Sequence, residues 1–212
     1  MKQTPRIFFL MLVLAVVTLA CSIGAPDFPE GVLFQDDFSS TSSGWDSYSG
    51  DDGTTDYTDG QYRILVLIDN QDYWANPGYD FEDVIISVTA DKKGGPDDND
   101  FGIICRYQDE TNFYYGVISS DGYYGILQVL DGEQYLLSSD ALEYSDAIHQ
   151  GSASNEIGFD CIGDTLSLYA NGVLLAEARD SSFTGGDVGL IAGTYDIPGT
   201  DILFDDFLVE AP

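Results

Sequence analysis

Positive charge is what this sequence most lacks. Only 7 of its 212 residues are lysine or arginine, against 37 aspartates and glutamates, and the formal net charge at pH 7 is −30. Nucleic-acid phosphates are bound through clustered lysine and arginine side chains, so this composition excludes nucleic acid as a partner. The same shortage excludes electrostatic docking onto anionic lipid headgroups. Any contact with a membrane should therefore depend on something other than protein charge.

Histidine, cysteine and glutamate are also scarce. The single histidine, His149, lies in a stretch rich in glycine and serine with no obvious nucleophile nearby. No CxxC pair or histidine cluster has the spacing of a zinc site. Only eight of the acidic residues are glutamates, and the other 29 are aspartates. Because aspartate prefers turns and strand ends and is a poor helix former, this bias favours β-structure.

Long apolar runs are absent except near the N-terminus. Lys2 and Arg6 precede the apolar residues 7–20, and small residues follow. A basic start, a short apolar centre and a small residue before a cut site are typical of a secretory signal peptide. The run is shorter than the ~20 residues that a membrane-spanning helix needs. Cleavage after residue 20 would leave five basic against 37 acidic residues, a net charge of −32.

The cysteine after this apolar run carries a second signal. Residues 18–22, Thr-Leu-Ala-Cys-Ser, resemble the bacterial lipoprotein signal, although Thr18 stands where leucine is usual. The resemblance implies a signal peptide at 1–20, a lipid on Cys21, and a short tether at 21–31. It also implies a place at the bacterial cell surface, with the membrane reached only through the N-terminal lipid. Simple secretion is the alternative.

From Val32 onward the sequence predicts β-strands joined by turns. Apolar and polar residues alternate in about a dozen short segments, and dipeptides such as Asn171-Gly172 predict hairpins with type I′ turns. This pattern favours a two-sheet antiparallel sandwich or a barrel over residues 32–212. In one segment Phe101, Ile103, Cys105 and Tyr107 should share a core face. Arg106 should then point away from that row, either onto an open face or into a pair with an aspartate.

Cys105 and Cys161 are the two cysteines that remain beyond the predicted signal peptide. Outside the cytoplasm such a pair is often a disulfide, which would stabilise the fold. Both cysteines lie within apolar strand patterns. The alternative is therefore two separate buried thiols.

Several motifs, in order along the chain, resemble bacterial concanavalin A-like lectin/glucanase domains of the LamG-like type. They are Asp37-Phe38 with Gly44-Trp45, Asp59-Gly60-Gln61-Tyr62, the segment Phe101 to Asp109, the run Leu166 to Gly172, Gly186 to Gly193, and Phe204-Asp205-Asp206-Phe207. The resemblance covers about residues 33–210. It implies an all-β fold, a two-sheet antiparallel jelly-roll sandwich. This fold hosts glycosidases, lectins and adhesion modules alike, so function must come from the site.

The resembling glucanases carry their catalytic carboxylates along one strand as Glu-x-Asp-x-x-Glu, and no such string occurs here. We therefore expect a non-catalytic, lectin-like carbohydrate-binding domain whose partner is a glycan or a glycosylated surface molecule. One alternative is a protein–protein adhesion or accessory subunit that uses the same sandwich face. The other is a glycoside-acting hydrolase.

Sugar binding usually needs aromatic rings beside a few fixed polar groups. The candidate ligand-binding residues are Trp74, Arg106, Tyr115 and Tyr124. Each of the three rings could equally be a packing residue. Arg106 could equally be a structural ion-pair partner.

A structural calcium ion is the only cofactor that the sequence suggests. In the resembling fold the first and last strands run side by side, which would bring Asp36 and Asp37 near Asp205 and Asp206. Carboxylates close together repel unless a cation relieves them, and calcium prefers oxygen ligands. Exposed aspartates at strand ends are the plain alternative. Aspartate-rich runs at 51–59 and 97–100 are alternative loop sites.

Overall fold

The computed structural model describes residues 28–212. The predicted signal peptide, Cys21 and most of the predicted tether lie outside the described residues. Between residues 28 and 212 no helix is long and apolar enough to cross a membrane. The strands are β1 (Val32–Asp36), β2 (Tyr48–Ser49), β3 (Gly53–Thr58), β4 (Gln61–Val66), β5 (Gln71–Ala75), β6 (Val84–Gly94), β7 (Asn99–Asp109), β8 (Asn112–Ile118), β9 (Tyr123–Leu130), β10 (Glu133–Leu136), β11 (Glu143–Tyr144), β12 (Asn155–Ile162), β13 (Thr165–Ala170), β14 (Val173–Arg179), β15 (Asp187–Thr194) and β16 (Thr200–Glu210).

These strands form two antiparallel sheets. The nine-stranded sheet has the order β14-β13-β12-β6-β16-β4-β3-β2, with β1 also paired to β16. The seven-stranded sheet has the order β10-β9-β8-β7-β15-β5, with β11 also paired to β9. Several neighbours are distant in sequence, as expected of a jelly roll. The predicted all-β, two-sheet antiparallel jelly-roll sandwich is confirmed.

The core lies between the sheets because each strand presents every second side chain inward. In β4 the side chains of Tyr62, Ile64 and Val66 are fully buried, in the alternation expected from the sequence. Trp45 closes one end of the core, with its ring 5.0 Å from that of Phe207. Trp45 is therefore a core residue.

Two-residue turns set the register of several hairpins. Asn171 and Gly172, between β13 and β14, have φ values of 52° and 77°. Asp131 and Gly132, between β9 and β10, have values of 53° and 83°. Positive φ at both central residues is the requirement of a type I′ turn, so the hairpin predicted at Asn171-Gly172 is confirmed.

A β-bulge in β7 breaks the alternation that the sequence suggests. Arg106 has a φ of 52°, and the pairing of β7 with β8 shifts register between Cys105 and Asp109. One extra residue in a strand moves the following side chains to the opposite face. Arg106 consequently points inward, whereas Tyr107 turns outward to pack 5.5 Å from Phe113. The expectation that Arg106 faces away from the core and that Tyr107 joins it was wrong.

Arg106 is only 1 % exposed, and its guanidinium is held almost entirely by backbone oxygens. It donates to the carbonyl oxygens of Gly163 at 2.8 Å, Phe183 at 2.9 Å and Cys161 at 3.3 Å. It also pairs with Asp83 at 3.1 Å, so the predicted alternative of a pair with an aspartate is confirmed. A buried charge is tolerated only when it is paired and hydrogen-bonded, and these contacts meet that requirement. Through them Arg106 links its own strand to the segments around residues 83, 161–163 and 183.

The predicted disulfide is present beside this arginine. Cys105 and Cys161 are bonded at 1.98 Å, across 56 residues of sequence. The bond joins β7 of the seven-stranded sheet to β12 of the nine-stranded sheet. It therefore crosses the core and fixes the two sheets to each other.

Removal of the disulfide should destabilise the domain. We expect the double variant Cys105→Ala/Cys161→Ala to lose about 2–4 kcal/mol of unfolding free energy, because a bridge that closes a long loop restricts the unfolded chain. Urea unfolding followed by tryptophan fluorescence measures the change. The reduced wild-type protein keeps both sulfur atoms and separates the bond from its packing. Equal midpoints for the oxidised and reduced forms would show that the bond contributes nothing.

Replacement of Arg106 by methionine should also destabilise the domain, by about 3–5 kcal/mol, because it leaves buried acceptors without donors. Arg106→Lys keeps the charge but loses the planar fork, so we expect an intermediate loss. The matched control is Arg179→Met. The Arg179 side chain is 73 % exposed in its ion pair with Asp164, and such pairs contribute at most about 1 kcal/mol. Similar losses for Arg106→Met and Arg179→Met would contradict the structural role of Arg106.

Candidate functional site

The outer face of the seven-stranded sheet carries a second apolar cluster, separate from the main core. The cluster consists of six outward-facing side chains of β7, β8, β9 and β15: Ile104, Phe113, Tyr115, Val117, Val129 and Ile191. Trp74 and Tyr107 pack against it. The same alternation that fills the core places these residues on the other side of the sheet. These six side chains are nevertheless buried, so neighbouring side chains of the same face cover them.

A cleft of about 570 Å³ lies on this outer face. Most of its lining residues carry polar groups, and five of these come from four strands and the segment after β15. They are Asp72 on β5, Asp100 on β7, Tyr115 on β8, Gln134 on β10, and Tyr195 just beyond β15. A second hollow of about 430 Å³ shares Asp72 and is also lined by Trp74. Together the two form a groove across the outer face.

The strand register brings Asp72 and Asp100 together over Gly193. On β15, Gly193 pairs with Asp72 of β5 on one side and with Asp100 of β7 on the other. A Cβ atom built on Gly193 would lie 2.0 Å from Asp72 Oδ1 and 2.2 Å from Asp100 Oδ1. The two oxygens are therefore at most about 4 Å apart. Only glycine leaves the space in which these two carboxylates converge.

The two carboxyl groups are in an unfavourable electrostatic position. Asp100 is 9 % exposed, and its Oδ1 has no hydrogen-bond partner in the protein. Burial, and then the neighbouring charge of Asp72, raise the pKa of Asp100 well above its usual value, against the opposing effect of hydrogen bonding from Tyr195 and the Gly193 backbone. Burial also raises the pKa of Asp72, opposed by a hydrogen bond of 3.1 Å from Gln134 Nε2 to Asp72 Oδ2. Desolvation and a like charge both disfavour ionised carboxyls.

No basic side chain of the described residues relieves this repulsion. Four of the five lysines and arginines between residues 28 and 212 pair with aspartates outside the cleft: Arg63 with Asp201, Lys92 with Asp97, Arg106 with Asp83, and Arg179 with Asp164. The fifth, Lys93, is exposed on β6 of the other sheet. The cleft therefore presents negative charge and hydrogen-bond acceptors without a protein cation.

The predicted ligand residues divide between the two sides of the sheet. Tyr115 lines the cleft, and Trp74 lines the neighbouring hollow, with its ring 5.6 Å from that of Phe113. Tyr124 instead belongs to the main core and is 8 % exposed, because its partner across β8 is the inward-facing Ile118. Arg106 is likewise inside the sandwich. The expectation that Tyr124 and Arg106 lie on the ligand-binding face was therefore wrong.

The aspartates predicted to hold calcium have other partners. As expected, β1 and β16 are neighbours. However, Asp36 accepts hydrogen bonds from Phe38 N at 2.8 Å and from Trp45 Nε1 at 2.9 Å, so both its oxygens are engaged. Across residues 28–212, no three acidic, histidine or cysteine side chains form a group that could hold a metal ion.

Asp37, Asp205 and Asp206 also accept or donate local hydrogen bonds. Asp37 Oδ1 accepts from the Ser39 backbone at 3.0 Å, and Asp205 Oδ1 accepts from the Asp206 backbone at 2.9 Å. Calcium at Asp36, Asp37, Asp205 and Asp206 stays a prediction made from the sequence. The local contacts engage side-chain oxygens of Asp36, Asp37 and Asp205, and the backbone N–H of Asp206.

Of the polar residues of the cleft, Asp72, Gln134 and Tyr195 were not among the sequence candidates, and Asp100 was one only as part of a possible calcium loop at 97–100. Asp72 lies inside the strand Gln71–Ala75, and Asp100 belongs to β7 rather than to the acidic loop in which the sequence suggested it. Gln134 and Tyr195 come from segments with no motif. The one available signal was an aspartate within an apolar strand pattern. Burial of such a carboxylate costs free energy unless it is paired or hydrogen-bonded, so its position suggests a binding role.

Comparison with protein-family models and with curated proteins gave no match. Solved structures do match. A carbohydrate binding module, CBM66, from Bacillus subtilis has a TM-score of 0.64 and 18 % identity, over 79 % of this chain and 96 % of that one. A Bacillus subtilis protein of unknown function with a galectin-like fold has a TM-score of 0.61 and 13 % identity, over 85 % of this chain and 96 % of that one.

An enzyme has the same architecture. The β-glucanase of Bacillus licheniformis has a TM-score of 0.60 and 12 % identity, over 87 % of this chain and 100 % of that one. At such identities the likeness concerns the fold and not the activity. The described domain is a concanavalin A-like jelly-roll sandwich.

Proposed function

We propose that this domain binds carbohydrate without catalysing a reaction on it, through the cleft on the outer face of the seven-stranded sheet. The observation that carries the proposal is the convergence of Asp72, Asp100, Gln134 and Tyr195 around one open cleft. Carboxylate, amide and phenol groups supply the acceptors and donors that match sugar hydroxyls. The likeness in fold to a carbohydrate binding module and to a galectin-like protein supports the proposal.

The acidic residues favour binding over hydrolysis. The sequence lacks the Glu-x-Asp-x-x-Glu string along which the resembling glucanases carry their catalytic carboxylates. Asp72 and Asp100 come from two different strands and do not reproduce that arrangement.

A protein–protein adhesion or accessory role is the second candidate. The observation that favours it is an exposed tyrosine pair, Tyr123 and Tyr144, whose rings lie 5.8 Å apart on neighbouring strands. Tyrosine is enriched in protein interfaces. A domain with this role would capture a protein partner and ignore free glycans.

We also propose that the protein is a bacterial cell-surface lipoprotein that reaches the membrane only through a lipid on Cys21, with simple secretion as the alternative. The proposal rests on residues 18–22 and on the net charge, which disfavours adsorption to anionic lipid. Mass spectrometry of the mature N-terminus tests it. A lipid-modified Cys21 is expected, and an unmodified first residue beyond Cys21 would overturn the anchor.

Substitutions in the cleft should weaken glycan binding selectively. We expect glycan-array hits, quantified by titration calorimetry, to lose about tenfold or more in affinity in Gln134→Ala and Tyr195→Ala, because each removes a hydrogen-bonding group from the cleft. Tyr135→Ala is the matched control: Tyr135 follows Gln134 on β10, lies on the other side of the strand, and is 49 % exposed. The cleft is the wrong site if Tyr135→Ala loses as much affinity as the other two variants.

A further inference from the structure

The Asp72–Asp100 pair requires more than a neutral sugar to satisfy it. A hydroxyl group of a sugar donates one hydrogen bond, whereas the pair presents two converging carboxylate oxygens, one of them buried and unpartnered. A buried acceptor left without a donor costs about 1–3 kcal/mol, and more when it is charged. The geometry therefore calls for an occupant with positive charge and several donors.

Three occupants could relieve the repulsion: a proton, a metal ion or an ammonium group. A proton shared by the two carboxyls meets the need when the cleft is empty, consistent with the raised pKa of Asp100. Calcium takes 6–8 oxygen ligands, and the described residues bring no third acidic side chain to this point. An ammonium group needs only three acceptors. It is the ligand whose requirement the site comes closest to meeting.

The surroundings of the pair suit a cation on a polar ligand. The two Oδ1 atoms are close enough for one nitrogen to donate a normal hydrogen bond of about 2.8 Å to each. Tyr195 lines the cleft with Asp100 and carries a hydroxyl that can accept a third bond. Gln134 holds Asp72 in place through its other oxygen.

We propose that Asp72 and Asp100 together bind the ammonium group of an amino sugar, so that the cleft selects glycans with free amines over neutral or acidic ones. This inference rests on the proposed carbohydrate-binding function and names its ligand class. The −NH3+ group donates to Asp72 Oδ1 and Asp100 Oδ1 and offsets the repulsion between the two carboxylates. Acidic glycans are repelled because no basic side chain of the described residues lines the cleft.

A set of matched saccharides tests the proposal. Tetrasaccharides of glucosamine, N-acetylglucosamine and glucose with the same linkage differ only in one ring substituent: a free amine, an amide or a hydroxyl. Calorimetry at mildly acidic pH, where the amine carries its proton, should show the free-amine form binding about tenfold or more tighter than the others, since charge-assisted hydrogen bonds are roughly twice as strong as neutral ones. A polygalacturonate fragment should not bind.

Asparagine variants locate the preference on the pair. Asp100→Asn and Asp72→Asn should each reduce the ratio of free-amine to hydroxyl affinity to about threefold or less, because each removes one of the two charged acceptors. The matched control is Asp98→Asn, which removes the same charge from an exposed residue two positions away and should keep most of the preference. Thermal melts should show both cleft variants folded, because each removes a charge from a crowded acidic pair.

The outcomes separate the inference from the function on which it rests. Binding of no saccharide overturns both. Equal binding of the amine and hydroxyl forms, with loss of both in Gln134→Ala, overturns the ligand class and leaves the carbohydrate-binding function intact. A preference that appears only with added calcium and is abolished by a chelator assigns the pair to a metal ion and also overturns the inference. If Asp98→Asn lowers the preference as much as Asp100→Asn does, the preference comes from general electrostatic attraction and the inference is overturned.

Discussion

The alternation of side chains along the seven-stranded sheet is the constraint on which both the core and the cleft depend. Once Phe101 and Ile103 of β7 point inward to meet the other sheet, Asp100 and Ile104 must point outward. The same rule places Asp72 outward on β5. Because both strands pair with β15, the register that packs the core also fixes the two aspartates on either side of Gly193. A slip of one residue would bury the acidic pair in the core and expose the core residues.

The sandwich bears an unfavourable acidic pair because other contacts hold the register. The bond between Cys105 and Cys161 joins the two sheets, and Arg106 beside it ties four segments through carbonyl oxygens. The free energy of unfolding of a native domain is only about 5–15 kcal/mol. Repulsion between two carboxylates lowers it, so other contacts must stabilise the surrounding strands. The positive charge of Arg106 is used inside the protein, and the negative charge of Asp72 and Asp100 is left open to a ligand.

Local features of this fold could be predicted from the sequence, and non-local ones could not. The hairpin at Asn171-Gly172 follows from two adjacent residues, and the buried row of β4 follows from a six-residue alternation. The bulge at Arg106 has no glycine or other local mark, so alternation assigned Arg106 and Tyr107 to the wrong faces. Asp72, Asp100 and Gly193 are far apart in sequence and meet only through the order of the strands. Tyr115 could be predicted as a cleft residue because strand alternation assigns each aromatic residue to one face of a sheet. The sequence did not show which tyrosines line the same cleft.

The shortage of positive charge in this chain has a specific consequence at the cleft, where no basic side chain of the described residues neutralises the carboxylates. A surface with many aspartates remains soluble whatever its ligand, so net charge alone says little about binding. Most of the acidic residues are exposed and solvated, and their charge costs little. Asp100 differs because it is buried, it converges with a second carboxylate, and no lysine or arginine of the described residues compensates it. A protein that needed only solubility would gain nothing from placing this pair in a groove, whereas a binding site for a cationic group would gain its specificity from it.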